Sequence, residues 1–375
     1  MAENLALHSV VSDAATLEIY LADVPVAPPA DGEVVIRLAA SPINPSDLRA
    51  IVGLADVTSA RPATRGGRPS LILDASSAAM ASMRGRIDVP LVAGHEGCGT
   101  VIEAGPGTEH LLGKLVAVNG GALHAKYATV AAKNCLPLPD GTDPVAGAAC
   151  YVNPVTALAF VELLRRDGYG GMVHTAAASS LGQMLVKICA ADGVPLVNIV
   201  RSDDQAQLLA AIGAEHVVNS GTATFRADLI DRIAATDAML AFDAVGGGPL
   251  VGDILHAMEA AAARGAQGFS NYGTEAYKQV YIYGGLDIGP TSFSRRFGFA
   301  WSVSGFLLRH FLSKVGEDVL HRLQRRVVDE LDTTFRTHYS AIIGLEDLLD
   351  RDTLIECNRK ATNAKFLICP NERLG

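Results

Sequence analysis

Val173-His174-Thr175-Ala176-Ala177-Ala178-Ser179-Ser180-Leu181-Gly182 reads as the end of a buried strand, a tight turn of small residues and the first turn of a helix. The helix continues through Gln183-Met184-Leu185-Val186-Lys187-Ile188-Cys189-Ala190, with Leu181, Leu185 and Ile188 on one face at helical spacing. A second apolar stretch, Pro195-Leu196-Val197-Asn198-Ile199-Val200, is closed by Arg201. Strand, tight turn, helix and strand make a βαβ unit, whose first turn is where a dinucleotide's pyrophosphate sits. The first backbone N–H groups of a helix lack partners within it and carry partial positive charge, so an anion stabilises them.

The glycine fingerprint of such turns is reduced here to Ala177, Ser179 and Gly182. Small side chains still let the pyrophosphate approach, and the Ser179 and Ser180 hydroxyls are available to it. An ordinary βα turn in a parallel sheet is the competing reading. Arg201 weighs against that competitor. It stands about 20 residues past the turn, where an acidic side chain holds the ribose 2′-hydroxyl of NAD and an arginine favours the 2′-phosphate of NADP.

Working outward, the alternation of strands and helices continues. Gln205 to Ile212 is helical, Glu215 to Asn219 a strand, and Ala238 to Val245 a strand that runs into Gly246-Gly247-Gly248. Leu250 to Ala262 is a helix, and Gln267 to Tyr272 a strand ending in Gly273. This predicts an α/β fold with a doubly wound parallel sheet, in which Val245-Gly246 and Tyr272-Gly273 lie at ligand-binding strand ends. The first 150 residues read as mostly β, with strands at Glu33–Leu38, Thr100–Glu103, Gly113–Val118 and Ala125–Val130. Arg61 to Asp88 shows no clear periodicity beyond a short helix near Ser76–Met83, and reads as a long loop. Val319 to Leu331 is an amphipathic helix, Leu345 to Leu349 a short one, and Lys365 to Cys369 a last strand.

Bulk properties narrow the function. At 375 residues, 49% hydrophobic and 19% charged, the chain has enough apolar material for two domains. A net charge of -9 and a pI near 5.6 disfavour nucleic acid as the partner. No apolar run approaches the ~18–20 residues of a membrane helix, and no secretory pattern opens the sequence. The 6 cysteines are scattered without a C-x-x-C pair, which fits reduced thiols in a cytoplasm.

Several segments together resemble the medium-chain dehydrogenase/reductase superfamily, and within it the zinc-free quinone oxidoreductase and enoyl reductase branch. They are Ser41-Pro42-Ile43-Asn44-Pro45-Ser46-Asp47, Gly94-His95-Glu96-Gly97 through Gly105, Asn153-Pro154-Val155-Thr156-Ala157, the Ala177-to-Gly182 turn, Gly213 to Asn219, and Asp243-Ala244-Val245-Gly246-Gly247. The resemblance implies a GroES-like, mostly β catalytic domain at 1–150, a Rossmann NADP(H)-binding domain at 151–310 and a return to the catalytic domain at 311–375. It implies NADPH as cofactor, a small-molecule quinone or α,β-unsaturated carbonyl as hydride acceptor, and a homodimer formed at the sheet edge near Trp301 to Phe306. Asn44 and Thr156 are implied near the nicotinamide, Ser179 to Gly182 at the pyrophosphate and Arg201 at the 2′-phosphate; Phe306 and Lys365 match positions near the nicotinamide.

Two departures follow from the same comparison. Zinc-dependent members carry cysteines at the places of Asn44 and about Val152, so here only His95 and Glu96 remain, too few for a catalytic zinc; Cys98 and Cys150 are the remaining candidates to join His95. The proton-donating tyrosine of many enoyl reductases falls at Ala55, which leaves Tyr151, Tyr272 and His95 as substitute acids. A reductase of a bulky CoA-linked or polyketide-like acceptor stays open, with the arginines of the 61–88 stretch and Ser294-Arg295-Arg296 as phosphate contacts. So does an NADPH-binding sensor that has kept the fold without the turnover.

Overall fold

The computed structural model describes residues 4–266, 270–359, 361–362 and 364–371. The chain folds as two compact units, Met1–Val152 with Val327–Gly375, and Asn153–Arg326. The return to the first unit thus comes later than the expected residue 311.

The second unit is built on a six-stranded sheet. Its strands in chain order are Met172–His174, Leu196–Val200, His216–Asn219, Leu240–Asp243, Lys278–Ile282 and Trp301–Gly305. Every pairing is parallel. The first of these strands lies at the centre, the second and third follow on one side and the fourth to sixth on the other. That order reverses direction beside Met172–His174, the switch point at which doubly wound sheets bind dinucleotides. Val173, Val197, Val280 and helix residues such as Leu229 and Ile233 form its core. Phe225, Leu229 and Ile233 recur at helical spacing in a helix absent from the reading above, Phe225–Thr236.

The strand expected at Gln267–Tyr272 is corrected over its described residues, 270–272. Residues 267–269 lie outside the described residues, and Tyr272 sits in a turn, 74% exposed. The strand begins instead at Lys278. A lysine opening a central strand hides it from a hydropathy scan. Here the ammonium is buried because Glu259 (2.7 Å) and the Ala276 carbonyl (2.7 Å) receive it.

The first unit is antiparallel apart from one pairing. One sheet runs Asp56–Arg65, Arg68–Asp74, Thr16–Asp23, Leu5–Ser12, Leu91–Val92. The other has Glu33–Pro42 at its centre, paired to Glu96–Ala104 and to the C-terminal strand Phe366–Ile368. Phe366–Ile368, late in the chain, therefore completes a sheet begun by Glu33–Pro42. Val34, Ile36 and Leu38 are fully buried in its core.

The Arg61–Asp88 stretch is not a long loop. Most of it is a hairpin and the helix Ser77–Met83. Gly66 (φ 59°) and Gly67 (φ 81°) turn the hairpin, and positive φ at both central residues matches the twist of the strands. Pro62, Pro69 and an exposed strand face obscured the pattern. Three of its five arginines are engaged by neighbouring carboxylates, Arg61 with Asp74, Arg65 with Glu18 and Arg68 with Asp23, and Arg86 donates to Ser9 Oγ and the Ala50 carbonyl. They do not form a free phosphate-binding row, so the argument for a CoA-linked acceptor loses that support.

Candidate active site

In the second unit the quoted stretch forms the turn it predicts. The strand ends at His174, and the helix Ser180–Asp192 starts from Ser179, whose hydroxyl accepts from the Gly182 N–H (3.2 Å). Ala177 and Ala178 are buried beneath it. Gly182 lies tight against the turn: a Cβ there would come within 2.1 Å of the Ala177 carbonyl oxygen. Small residues, a helix N-terminus and this close approach fit the pyrophosphate of a dinucleotide.

The neighbouring strand end is tied to the turn. Thr175 Oγ1 donates to Asp243 Oδ1 (2.6 Å) and accepts from the Ala244 N–H (2.8 Å). The buried Asp243 carboxylate also accepts from Val245 N–H (3.1 Å) and Gly246 N–H (2.8 Å). Val245 and Gly246 thus leave the sheet in a fixed direction at the C-terminal end of Leu240–Asp243. Arg201 follows Leu196–Val200 directly and is exposed. Tyr272 and Gly273 do not belong with them. The Tyr272 carbonyl accepts from Phe299 N–H, which leads into Trp301–Gly305, so both residues lie at the entering ends of the strands. Tyr283 and Gly284 occupy the leaving end instead. His174 Nε2 pairs with the Tyr283 hydroxyl (2.8 Å), and burial holds the imidazole down at about 3, hence neutral. Phe306 packs among Phe160, Phe242 and Phe311. Thr156 is buried in the helix Val152–Asp167.

Ala176 holds φ 51° inside the turn, a left-handed conformation unfavourable for a residue with a Cβ. Ala176→Gly is expected to stabilise the chain by about 0.5–1 kcal/mol. A rise in the urea midpoint at unchanged m-value would register it.

The first unit gathers a second group of polar residues around Glu96. The helix Pro45–Ile51 sets one side of the group. Asn44 precedes that helix, and its backbone N–H donates to Asp47 Oδ2 (2.8 Å). Asn44 Nδ2 donates to Glu96 Oε1 (2.9 Å), while Glu96 Oε2 accepts from the Tyr151 and Val152 N–H groups (3.0 and 2.8 Å). The fully buried Asp47 Oδ1 receives His95 twice, from its N–H (2.9 Å) and from ring Nδ1. Burial pushes the Asp47 carboxyl up, but His95, the nearby His124 and the Asn44 N–H outweigh it and hold it below the usual range. The same hydrogen bond raises His95 against its partial burial.

Asn44, His95, Glu96 and Tyr151 are therefore brought together, and Lys365 joins them. Burial lowers its ammonium, against the charges of Glu96 and Asp47. Among the described residues, Asn44 Oδ1, Tyr339 Oη and Lys365 Nζ are buried without a hydrogen-bond partner. Tyr339 and Asp47 were not singled out from the sequence as site residues. Asp47 had a signal, its place three residues after Asn44 as a helix-capping acid; Tyr339 had none. The Tyr151 hydroxyl is held by Asn119. Burial pushes the Cys98 thiol up to about 12 and Cys150 higher still, and no group of three or more metal-ligating side chains occurs among the described residues.

Comparison with known proteins agrees with this architecture. Residues 30–140 match the family described as Alcohol dehydrogenase GroES-like domain. The chain is 30% identical over 210 residues to the mitochondrial enoyl-[acyl-carrier-protein] reductase of Xenopus tropicalis, covering 53% of this chain and 51% of that one. It is 28% identical over 142 residues to the "Probable quinone oxidoreductase" of Leishmania amazonensis, 36% of this chain and 40% of that one. The chain thus spans about half the length, or less, of the curated relatives it matches. The crystal structure of a "putative NADPH:quinone reductase" from Mesorhizobium loti superposes with TM-score 0.72 at 25% identity, over 99% of both chains. Residues 30–140 thus carry an alcohol dehydrogenase GroES-like domain, and the chain as a whole is similar to members of the medium-chain dehydrogenase/reductase superfamily. Its relatives there are enoyl reductases and quinone oxidoreductases.

Proposed function

We propose that the chain is a zinc-free, NADPH-dependent oxidoreductase that passes hydride to a quinone or an α,β-unsaturated carbonyl compound. The observation that carries this reading is the Ala177–Gly182 turn at the switch point of the sheet, with Arg201 at the tip of the adjacent strand. Ser179 and Ser180 with the helix N-terminus would hold the pyrophosphate, and Arg201 the 2′-phosphate. NADPH, when bound, supplies the hydride; the chain orients the acceptor and excludes water. The names of the relatives support both acceptor classes equally. Absence of a zinc ligand set is supported by Asn44, whose amide is committed to Glu96, and by His95 Nδ1, committed to Asp47. Trp301–Gly305 is the outer strand of the sheet, which supports a second copy pairing there to form a homodimer. The six cysteines are free, which supports a reducing compartment such as the cytoplasm. No described helix is long and apolar enough to cross a membrane.

The test is a fluorescence titration with NADPH and NADH. The wild-type chain is expected to prefer NADPH, and Arg201→Ala to lose roughly tenfold or more in NADPH affinity with little change for NADH. Equal binding of both cofactors by both proteins would remove Arg201 from the site. Binding of neither would end the reductase reading. Screening the wild-type chain with NADPH against quinones and enones then separates the acceptors, and tight binding without turnover on any would favour the sensor.

A further inference from the structure

We propose that Asn219 sets the preference for NADPH over NADH by holding the Asp203 carboxylate away from Arg201. The inference rests on the cofactor reading above and adds to it the residue that keeps the arginine open to a phosphate. Arg201 has two acidic neighbours, Asp203 and Asp204, within three residues of chain. A guanidinium that pairs with its own neighbour offers less charge and fewer donors to a ligand. Here it makes no ion pair among the described residues, and its backbone N–H donates to Gln205 Oε1 (3.1 Å).

The reason lies on the next strand of the same unit. Asn219 ends His216–Asn219 and stands opposite Val200, the residue before Arg201. Its Nδ2 donates to Asp203 Oδ1 (2.7 Å), and its Oδ1 accepts from the Gly221 N–H (2.9 Å). One end of the amide meets a carboxylate and the other an N–H, so only one orientation satisfies both. The turn that carries it is anchored. The Ser220 N–H donates to the Val200 carbonyl (2.7 Å), and Thr222 Oγ1 to the Asn219 carbonyl (3.0 Å). Gly221 lies close to the strand tip, where an added Cβ would stand 3.2 Å from the Arg201 carbonyl oxygen.

Asp203 opens the helix Asp203–Ala211, directly after the Ser202 cap. The helix start favours its negative charge, and the Asn219 amide ties one of its oxygens to the neighbouring strand. Released from that amide, the carboxylate has the guanidinium of Arg201, two residues back, to pair with. Two effects then act against NADPH. The guanidinium is partly neutralised, and a further negative charge stands beside the 2′-phosphate. Neither acts against NADH, because an acidic side chain near this strand tip suits a ribose 2′-hydroxyl.

Fluorescence titrations of the whole chain with NADPH and NADH test this. Asn219→Ala is expected to weaken NADPH binding roughly three- to tenfold, with NADH binding unchanged or tighter. Adding Asp203→Asn is expected to restore NADPH binding to within about twofold of the wild type, because the interfering charge is gone. A role confined to the Gly221 turn would instead weaken both cofactors and persist in the double variant. Asn219→Ser keeps a hydroxyl for the Gly221 N–H and serves if the alanine variant does not fold; the same loss and the same rescue are expected. Asp204→Asn is expected to rescue nothing. Raising KCl from about 0.05 to about 0.5 M is expected to shrink the loss. Unchanged NADPH affinity in Asn219→Ala and Asn219→Ser, an equal loss for NADH, a loss that Asp203→Asn leaves in place, or rescue by Asp204→Asn each overturns the proposal and leaves the cofactor reading standing. A wild-type chain that does not discriminate between the cofactors, or whose preference survives Arg201→Ala, overturns both.

Discussion

Replacing Gly182 by alanine is expected to destabilise the chain by about 2–3 kcal/mol and to weaken NADPH binding roughly tenfold or more. The added methyl carbon would stand 2.1 Å from the Ala177 carbonyl oxygen, 2.6 Å from its carbon and 2.8 Å from its Cα. All three are backbone atoms, so no side chain can swing away. The first turn of the helix Ser180–Asp192 must lift from Ala177 in the turn, and the Ser179 cap on the Gly182 N–H opens as it moves. The N–H groups that would face the pyrophosphate turn with it. Gly193 at the other end of the same helix is the control. It has φ 65° and nothing within 4 Å of an added Cβ. Gly193→Ala is expected to cost about 1 kcal/mol through strain alone, with NADPH affinity unchanged. Paired urea melts and NADPH titrations compare the two. Equal effects on binding would mean that the helix responds as a whole, and that the turn is not the anion site.

Gly182 also shows what the sequence could disclose. Small residues between an apolar strand and an amphipathic helix leave few alternatives to a tight βα turn, and the alternation downstream implied a parallel sheet. The position of the strand Lys278–Ile282 was hidden because its first residue is a lysine. Only the fold brings Glu259 to it, across 19 residues of chain. The hairpin Asp56–Arg65 with Arg68–Asp74 was hidden for a related reason: an edge hairpin with one exposed face and two prolines has no hydrophobic alternation to read. Asn44, His95 and Lys365 were visible as chemistry-bearing residues. Their arrangement about Glu96 was not, since Glu96, Tyr151 and Lys365 meet only when the C-terminal strand Phe366–Ile368 joins Glu33–Pro42. Tyr339 carried no pattern at all.

Asp47→Asn is expected to destabilise the first unit by about 2–3 kcal/mol at pH 5–6, and by less on either side. Asp47 accepts from the Asn44 N–H on one oxygen and from His95 on the other. An asparagine can keep only one of these, and turns an N–H towards a donor at the other. Half-exposure of the His95 ring discounts the ionic part, which is why the expected loss stays below that of a fully buried pair. The pH dependence follows from two opposite shifts. The Asp47 carboxyl is lowered on folding, so its contribution is present above the unfolded value of about 3.9 and is lost as pH falls through the folded value. His95 is raised, so its contribution is full below the unfolded value of about 6.5 and is lost as pH rises through the folded value. Both act together between about pH 4 and 6.5, and the gap in urea midpoints between wild type and Asp47→Asn should peak there. A gap that does not change with pH would mean that only neutral hydrogen bonds are lost. The imidazole would then never be charged beside Asp47. A peaked gap, by contrast, shows that His95 carries its proton over the pH range where Asp47 is ionised, so that the pair is held by charge as well as by hydrogen bonds.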